Sequence, residues 1–463
     1  MGRREDQGHT PDLWIATNDL PRTGGHPFYQ RLNQILDAHD FDAFVEGQCA
    51  RFYAATRGRP SLPPGTYFRL LLIGYFEGID SERGIAWRTA DSLALRGFLR
   101  YGLEAATPED STISRTRRLI DVETHRAVFT WIVQILAQED LIKGKTIGID
   151  ATTLEANAAL RSIVRRDTGE TYHEFLTKLA QASGIETPTR ADLARLDRKR
   201  PKKGRNTEWR HPHDPDARIT KMKDGRTHLA HKAEHAVDMA TGAIVSVTVQ
   251  GADCGDTTTI VETVTGAAET LEAVATVTDD HTRVVEEVVA DKGYHSNRVL
   301  TDLAALDLRT YIAEPTRGRR RWRGQLATRD AVYANRRRNQ RPKGRALQRR
   351  RSGRLERPNA HLYETGGLRR THLRGHANIL KRLLIHTSGF NLGLLMHKIV
   401  GAGTPRGLQG LLTACLALIV TLWTTLFDRT NADVEHERRW WPLRRFELPP
   451  VTGLRNALLT TGC

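Results

Sequence analysis

Residues 146–156 are TIGIDATTLEA and residues 285–294 are VEEVVADKGY, two short runs of apolar and β-branched residues that are each typical of a buried strand. Asp150 follows the first apolar run and Asp291 follows the second. We therefore expect both carboxylates to emerge where a strand ends. If the two strands are neighbours, the side chains lie close together.

Two carboxylates at such a place need a positive partner. At a separation of about 4 Å they repel by about 4 kcal/mol at an effective dielectric near 20, so the pair is stable only with a cation or a shared proton. Mg²⁺ prefers hard oxygen ligands and is held by a few carboxylates together with substrate phosphate oxygens. A pair of such ions catalyses displacement at phosphorus without a protein nucleophile. The two aspartates thus favour a metal-dependent phosphodiester site.

A third carboxylate is expected from the later chain, and Glu356 in GRLERPNAHLYETGG is the main candidate. Pro358 is tolerated in the first turn of a helix, and Gly366 with Gly367 can end one, so Glu356 would begin a short helix. Tyr363 lies seven residues later on the same face of that helix. Glu364 is the alternative candidate.

The formal net charge of +16 is concentrated in one segment. Residues 317–357 hold 17 Lys or Arg and only two acidic residues, Asp330 and Glu356. A polyanion relieves such self-repulsion, so DNA or RNA is the expected partner. Trp322 and Tyr333 lie among the arginines and could stack on unpaired bases. The alternative interpretation is a solvated basic loop.

The pattern predicts a helical half followed by an α/β half. Up to about residue 140 the apolar residues recur at helical spacing, and Ser111 or Thr112 could cap a helix that carries Arg115, Arg117 and Arg118. This half is either a helix-turn-helix reader of DNA ends or a packing and dimerisation domain. Residues 141–400 alternate strands and helices, with a hairpin turn at Thr241-Gly242 and a polar insertion near 158–221. Residues 401–463 are expected to be a helical tail.

Other features suggest a cytoplasmic location, and two segments allow a membrane span or a second metal site as alternatives. Four cysteines are spaced too far apart for a zinc knuckle or a disulfide framework, and the charged first residues do not resemble a signal peptide. Residues 411–427, LLTACLALIVTLWTTLF, are interpreted as a buried helix, with a membrane span as the alternative. The histidines and aspartates of HPHDPDA, residues 211–217, could bind a metal, although the segment looks like a loop. Trp440 and Trp441 suggest packing or a partner contact.

Several of these motifs resemble the DDE transposases of bacterial insertion sequences, in the group with an InsH-like amino-terminal domain. The resemblance rests on GRPSLPPGTYFRLLLIGYFEGIDSERGIAWR, IGIDATTLEANAA, DPDARITKMKDGRTHLAHKAEHAVDMATGAIV, VVADKGYHS and ERPNAHLYETGGLRRTHLRGHANILKRLLIHTSGFNLGLLM, which together cover most of the chain. It implies an α/β ribonuclease-H-like core, with a mixed sheet flanked by helices, in which the first two acids lie on adjacent strands and the glutamate on a later helix. The family often has a lysine seven positions after the glutamate, where this chain has Tyr363, so Arg357, Arg369 and Arg370 are candidates to contact the terminal phosphate.

The resemblance also implies a function. Asp150, Asp291 and Glu356 would bind two Mg²⁺ ions, for which Mn²⁺ could substitute, and would catalyse cleavage of the element's ends and transfer of the freed 3′-hydroxyl into target DNA. The expected DNA-binding residues are Arg115, Arg117, Arg118, Lys292, Tyr294, Arg320, Arg321, Trp322, Arg337, Arg350, Arg357, Tyr363 and Arg370. We expect a nucleoid-associated homodimer or higher oligomer on DNA and no membrane partner. The alternatives are a nuclease without strand transfer and an inactive DNA-binding descendant.

Overall fold

The computed structural model describes residues 25–53, 61–200, 204–222, 224–316, 318, 320–410, 413, 416, 419 and 421. The described residues up to Leu408 belong to one compact unit, and the described residues after Leu408 belong to a second. In the second unit the described apolar side chains Leu416 and Ile419 are exposed. Apart from residues 413, 416, 419 and 421, the apolar stretch at 411–427 lies outside the described residues, as do Trp440 and Trp441. No helix within the described ranges has the length and apolarity needed to cross a bilayer.

The amino-terminal region of the described chain is helical, as predicted. Its helices are α1 (Pro27–Ala38), α2 (Phe41–Cys49), α3 (Pro64–Glu77), α4 (Glu82–Asp91), α5 (Leu93–Phe98), α6 (Asp110–Leu119) and α7 (Val122–Gln138). Ser81 accepts a bond from the Gly84 backbone N–H at the start of α4, and Asp121 accepts one from Thr124 at the start of α7. The predicted cap of α6 at Ser111 or Thr112 is wrong. The helix begins at Asp110, after Glu109, and its N-cap makes no side-chain bond.

A mixed sheet follows. The strands are β1 (Thr146–Glu155), β2 (Val164–Arg165), β3 (Trp209–Arg210), β4 (Arg218–Lys221), β5 (Thr227–Asp238), β6 (Ile244–Gly251), β7 (Glu287–Ala290) and β8 (Arg309–Ile312). The main sheet has the order β4-β5-β1-β7-β8, and β6 also pairs with β5. β1, β4 and β6 are antiparallel to β5, whereas β7 is parallel to both β1 and β8. The predicted hairpin between β5 and β6 is present, and its Gly242 has φ +88°, which favours glycine.

Helices surround this sheet, which confirms the predicted class of a helical region followed by a mixed sheet flanked by helices. They are α8 (Tyr172–Ala182), α9 (Arg190–Lys199), α10 (Asp256–Thr278), α11 (Asn297–Ala305), α12 (Leu326–Gln340), α13 (Pro342–Arg351), α14 (Arg357–Glu364) and α15 (His376–Val400), with a π-helical turn at Ser352–Glu356 before α14. The predicted insertion near 158–221 contains α8, α9 and the small β2–β3 sheet, with apolar clusters of its own. The arginine-rich segment forms α12, α13 and the π-helical turn.

Asparagine side chains satisfy backbone groups on two strands. Asn391 of α15 accepts from the Ile244 N–H at 2.9 Å and donates to the Ile244 carbonyl at 2.8 Å. Asn335 of α12 makes the same pair of bonds with Ile312, both at 2.9 Å. Each amide replaces a missing neighbouring strand at one residue of β6 or β8, so the buried backbone groups are not left unpaired.

One apolar core runs through the helical and α/β parts. It extends from Phe28 in α1 through Leu136 in α7 and Ile147 in β1 to Leu384 in α15. α15 packs closely on α3, because a Cβ added at Gly389 would lie 2.4 Å from Tyr75 Cδ1. The predicted domain boundaries near 140 and 400 stay predictions.

Candidate active site

Asp150 and Asp291 lie at matching positions of two neighbouring parallel strands. β1 and β7 pair Thr146 with Glu287 and Gly148 with Val289, and the same offset carries Asp150 to Asp291, the residue directly after β7. Adjacent strands lie about 4.8 Å apart, so the two carboxylates start from neighbouring backbone positions. Both side chains are half-buried.

The position of Asp150 within its strand corrects the sequence-based expectation. β1 does not end at Asp150 but continues to Glu155, paired with the long strand β5. The parallel partner β7 is the strand that ends here, at Ala290. Asp150 is therefore in the middle of β1, at the level where β7 stops. In the antiparallel pair with β5 it lies opposite His235, on the same face of the sheet.

The turn after β7 fixes Asp291. Its Oδ1 accepts a 2.7 Å bond from the Gly293 N–H, and residues Lys292–Tyr294 form a 3₁₀ turn. Tyr294 anchors that turn, because its buried hydroxyl donates to Glu234 Oε1 at 2.9 Å. Burial and the nearby Glu234 charge raise the pKa of this phenol. The expectation that Tyr294 contacts DNA is corrected, since the side chain is only 1% exposed.

Charged residues that the sequence analysis missed lie beneath this turn. Lys232 Nζ is 2.7 Å from Asp256 Oδ1 and 3.6 Å from Glu234 Oε1, and it donates to Thr259 Oγ1 at 3.0 Å. Burial raises the pKa of Glu234, which also accepts a bond from Thr259. The available signal was a Lys and a Glu two residues apart in a strand that the sheet buries, since such charges are buried only when paired.

Gly293 leaves open the space between two carboxylates. A Cβ at this position would lie 2.9 Å from Asp256 Oδ2 and 3.0 Å from Asp291 Oδ1. Any side chain at 293 would therefore crowd both acids. Lys232 pairs with Asp256, whereas no Lys, Arg or His nitrogen in the described part of the chain lies within ion-pair distance of Asp291.

Glu356 lies at the start of α14, as the sequence analysis predicted. It is the N-cap residue and is exposed, and Pro358 occupies the first turn. The helix is docked on β1. Asn359 Nδ2 donates to Asp150 Oδ2 at 3.1 Å, and the Tyr363 hydroxyl contacts Thr152 Oγ1 and donates to the Thr153 carbonyl at 3.2 Å.

Helical spacing relates Glu356 to these contacts. Asn359 and Tyr363 follow it by three and seven residues, so the three side chains share one face of the helix. This face of α14 packs against β1. One residue earlier, Leu355 packs where a Cβ at Gly148 would lie, 2.6 Å from Leu355 Cδ2. Burial raises the pKa of Tyr363 to about 12, so its hydroxyl stays protonated as a donor.

The described side chains of the site do not form one complete set of metal ligands in this conformation. Among the described side chains, no group of three or more His, Cys, Asp and Glu residues is arranged to hold a metal ion. The structure brings the positions of Asp150 and Asp291 together and directs the Glu356 face of α14 toward β1, without joining the three carboxylates into one ligand set. The oxygen donors and the open space at Gly293 suit Mg²⁺ chemically.

The predicted DNA-binding residues fall into two groups. The exposed ones are Arg115, Arg118, Lys292, Arg321, Arg337, Arg350, Arg357 and Arg370. Arg117 is buried and bonded to Glu82 Oε1 at 2.6 Å, so it is not available to DNA here. Arg320 donates to Asn297 at 2.8 Å and lies 3.5 Å from Glu314. Trp322 is half-buried beside Arg320.

The HPHDPDA segment has a structural role in this conformation. His231 Nε2 lies 3.1 Å from Asp214 Oδ2, and both side chains are fully buried. Asp214 also accepts from the Gly375 N–H at 3.1 Å, and Asp216 accepts from the His376 N–H at 3.0 Å. These bonds attach the insertion to the start of α15.

Comparison with known families agrees with the arrangement of the sheet and α14. Residues 18–119 match the family described as Transposase domain (DUF772), and residues 206–392 match the family described as Transposase DDE domain. The second match contains Asp291 and Glu356 and begins after Asp150. No curated protein matches the chain significantly. Two transposase matches, one over the helical region and one over most of the α/β region, together cover more than half of the chain and support its assignment to the DDE transposases of insertion sequences.

Proposed function

We propose that this protein is a metal-dependent DNA transposase with a ribonuclease-H-like core. In this proposal it cleaves the ends of its element with water and then joins the freed 3′-hydroxyl to target DNA. The observation that carries the proposal is the shared register of Asp150 and Asp291 on neighbouring strands, with α14 laid across β1 beside them. This is the arrangement that the resemblance implies, with two acids on adjacent strands and the glutamate on a later helix.

Asp150, Asp291 and Glu356 would hold the metal ions. Neither Asp291 nor Glu356 has an ion pair with a described residue, so their charges are available to a cation. Two Mg²⁺ ions, for which Mn²⁺ could substitute, would supply Lewis-acid activation of the phosphodiester when bound. The Asn359 amide orients Asp150, and the Gly293 N–H orients Asp291. Because both bonds are made to charged acceptors, they hold the carboxylates firmly.

Exposed cations close to these acids would bind the DNA backbone. Lys292 directly follows Asp291, and Arg357 directly follows Glu356. Arg369 and Arg370 are exposed after the end of α14 and are candidates to contact the terminal phosphate. Arg337 on α12 and Arg350 on α13 extend the basic surface. The substrates would be the terminal inverted repeats and target DNA, bound by a homodimer or higher oligomer.

The direct test is a cleavage assay with purified protein, Mg²⁺ or Mn²⁺, and labelled DNA that carries the gene's own flanking ends. We expect nicking at those ends, followed by strand transfer into a second DNA. Asp150→Asn, Asp291→Asn and Glu356→Gln should each abolish both products. Glu364→Gln is the matched control on the same helix and should remain active.

The same assay separates the alternatives. Nicking without joined products would favour a nuclease that hydrolyses DNA and does not transfer strands. DNA binding without metal-dependent nicking by the wild type would indicate a DNA-binding descendant. If Glu356→Gln is active and Glu364→Gln is inactive, the third metal ligand is Glu364 and not Glu356. Activity in Asp150→Asn would refute the proposed site.

A further inference from the structure

A cavity of about 590 Å³ lies in the helical part of the fold, between the α3–α4 connection, α6 and the first half of α15. We call it the helical cleft. Its volume is within the range of about 300–1,000 Å³ that accommodates small ligands. The cleft lies near the end of α14, because a Cβ at Gly78 would be 3.0 Å from the Thr365 carbonyl oxygen, and Ile79 and Asp80 line the cavity.

The walls of the cleft carry an excess of positive charge. The acidic residues that line it are Asp80, Glu82 and Asp110. The basic residues that line it are more numerous: Arg83, Arg115, Arg117, Arg118, Lys381 and Arg382. The acids have partners already. Glu82 pairs with Arg117, Asp80 with His372, and Asp110 with Arg83.

Four lining cations are left without a carboxylate within 4.0 Å among the described residues: Arg115, Arg118, Lys381 and Arg382. Arg115 and Arg118 are exposed and bond to Ser111 and to the Ser114 carbonyl of their own helix. Lys381 is buried and donates to the Arg117 carbonyl at 3.0 Å.

Arg382 is the strongest indication of an anionic occupant. Its Nη1 donates to the Asp80 carbonyl at 2.7 Å and its Nε to His386, but its buried Nη2 has no partner among the described residues. Burial lowers the pKa of this guanidinium to about 10. A buried charged donor without an acceptor is costly, and an anion in the cleft would reduce that cost.

The remaining walls are apolar. Leu71, Ile79, Ile85, Leu373 and Ile385 line the cleft beside the cations. An apolar surface next to unpaired cations fits a ligand with a flat apolar part and an anionic part, as in a nucleotide. A double helix is too large for a cavity of this volume, whereas a base removed from the stack fits the kind of pocket that enzymes use for flipped nucleotides.

We propose that the helical cleft binds one unpaired nucleotide of the DNA substrate, with its phosphate among Arg115, Arg118, Lys381 and Arg382. The inference rests on the proposed function, since it takes DNA as the substrate. It adds a second contact to the DNA at a distinct part of the fold, where α6 presents its arginines to the cleft and not only to solvent.

The test measures binding of a short labelled single-stranded oligonucleotide and of a blunt duplex of the same sequence by fluorescence anisotropy. The full chain carrying Asp291→Asn is used without divalent metal, so no cleavage occurs. Arg118→Gln removes an exposed cation at the cleft. Ser114→Trp fills the cleft without changing charge, because Ser114 lines it. Arg195→Gln, on the exposed surface of α9, is the matched control.

We expect Arg118→Gln to weaken single-strand binding about tenfold and to lower the salt slope by about 0.7, the value for one phosphate contact to a single strand. Ser114→Trp should weaken single-strand binding at least as much, whereas the Arg195→Gln control and duplex binding by Ser114→Trp should stay at the parent level. Circular dichroism melting checks that each variant folds.

Single-strand affinity unchanged in both cleft variants would overturn the proposal. Equal weakening of single-strand and duplex binding by Ser114→Trp would also overturn it, since the contact would then not depend on an unpaired nucleotide. Failure of the proposed function has a different signature, namely that the wild-type chain with Mg²⁺ does not nick DNA even though the cleft binds the oligonucleotide.

Discussion

Asn359 is the side chain through which α14 contacts the first aspartate. Its amide donates to Asp150 Oδ2, and its backbone position follows Glu356 by one turn of helix. One residue thus links the proposed first and third ligands. The residue type is informative, because an amide can orient a carboxylate without adding a charge that would compete with a metal ion.

Asn359→Ala should therefore raise the activation free energy of cleavage by more than it lowers the free energy of unfolding. A hydrogen bond to a charged group contributes about 1.5–3 kcal/mol, which corresponds to a loss of roughly 10–150-fold in kcat. DNA affinity should stay within twofold. Asn378→Ala, which removes an amide bonded to the Arg374 carbonyl just before α15, is the control. Full activity of Asn359→Ala in a single-turnover nicking assay would contradict this role.

His235 lies opposite Asp150 in the sheet and is fully enclosed, and neither ring nitrogen has a partner among the described residues. Burial lowers the pKa of this imidazole to about 4. Because an unfolded histidine titrates near 6.5, the unfolded chain binds a proton between pH 6.5 and 4 that the folded chain does not. The neutral histidine therefore stabilises the fold above pH 6.5, and that contribution is lost as the pH falls toward 4.

The corresponding prediction concerns the free energy of unfolding measured by urea titration at several pH values. In the wild type, His235 should add a slope of up to about 1.4 kcal/mol per pH unit between pH 4 and 6.5. His235→Leu should flatten the curve by that amount in the same window. The exposed His213→Leu should leave the slope unchanged. A His235→Leu curve parallel to that of the wild type would show that the histidine is not buried as described.

The sequence predicted the strands and the short helix but not how they pack against one another. The apolar runs before Asp150 and Asp291 were sufficient to predict β1 and β7, because β-branched runs have few alternatives. They could not show that β1 continues past Asp150, since that depends on pairing with β5, about 80 residues later. The Lys232–Asp256 pair was missed for the same reason, because each charge is explained only by its partner.

The contact between β1 and the π-helical turn is tight enough to test. A Cβ at Gly148 would lie 2.6 Å from Leu355 Cδ2 and from Met239 Sδ, so Gly148→Ala must displace both side chains. Overpacking of this kind costs about 1–3 kcal/mol. Because Leu355 precedes Glu356, the displacement should move the proposed third ligand and lower the nicking rate.

A second substitution distinguishes this cause from general damage. In the double variant Gly148→Ala with Leu355→Ala, the clash with Leu355 is removed, and we expect the nicking rate to recover partly even though the cavity left by leucine lowers the free energy of unfolding further. Stability and activity should thus change in opposite directions. A double variant less active than Gly148→Ala alone would show that Leu355 does not transmit the displacement.

The helical region and the α/β region are joined by side-chain bonds in addition to the connecting chain. Lys398 of α15 bonds to Glu139 after α7, Arg283 donates to the Ala137 and Ile142 carbonyls, and Lys381 donates to the Arg117 carbonyl. With one apolar core shared across these contacts, the helices would hold the DNA-contacting side chains in a fixed relation to the acids.

If the two regions unfold as one cooperative unit, a core substitution in the helical region should also lower the stability of the sheet. Leu136→Ala in α7, where the leucine is 0% exposed, should lower the free energy of unfolding by about 2–5 kcal/mol. Because contacts between α7, α10 and α15 connect the regions, peptides from β1 and β7 should lose hydrogen-exchange protection by the same free energy as peptides from α7. Protection lost only in residues 27–138 would mean that the two regions unfold separately, and the boundary predicted near residue 140 would then be a true thermodynamic division.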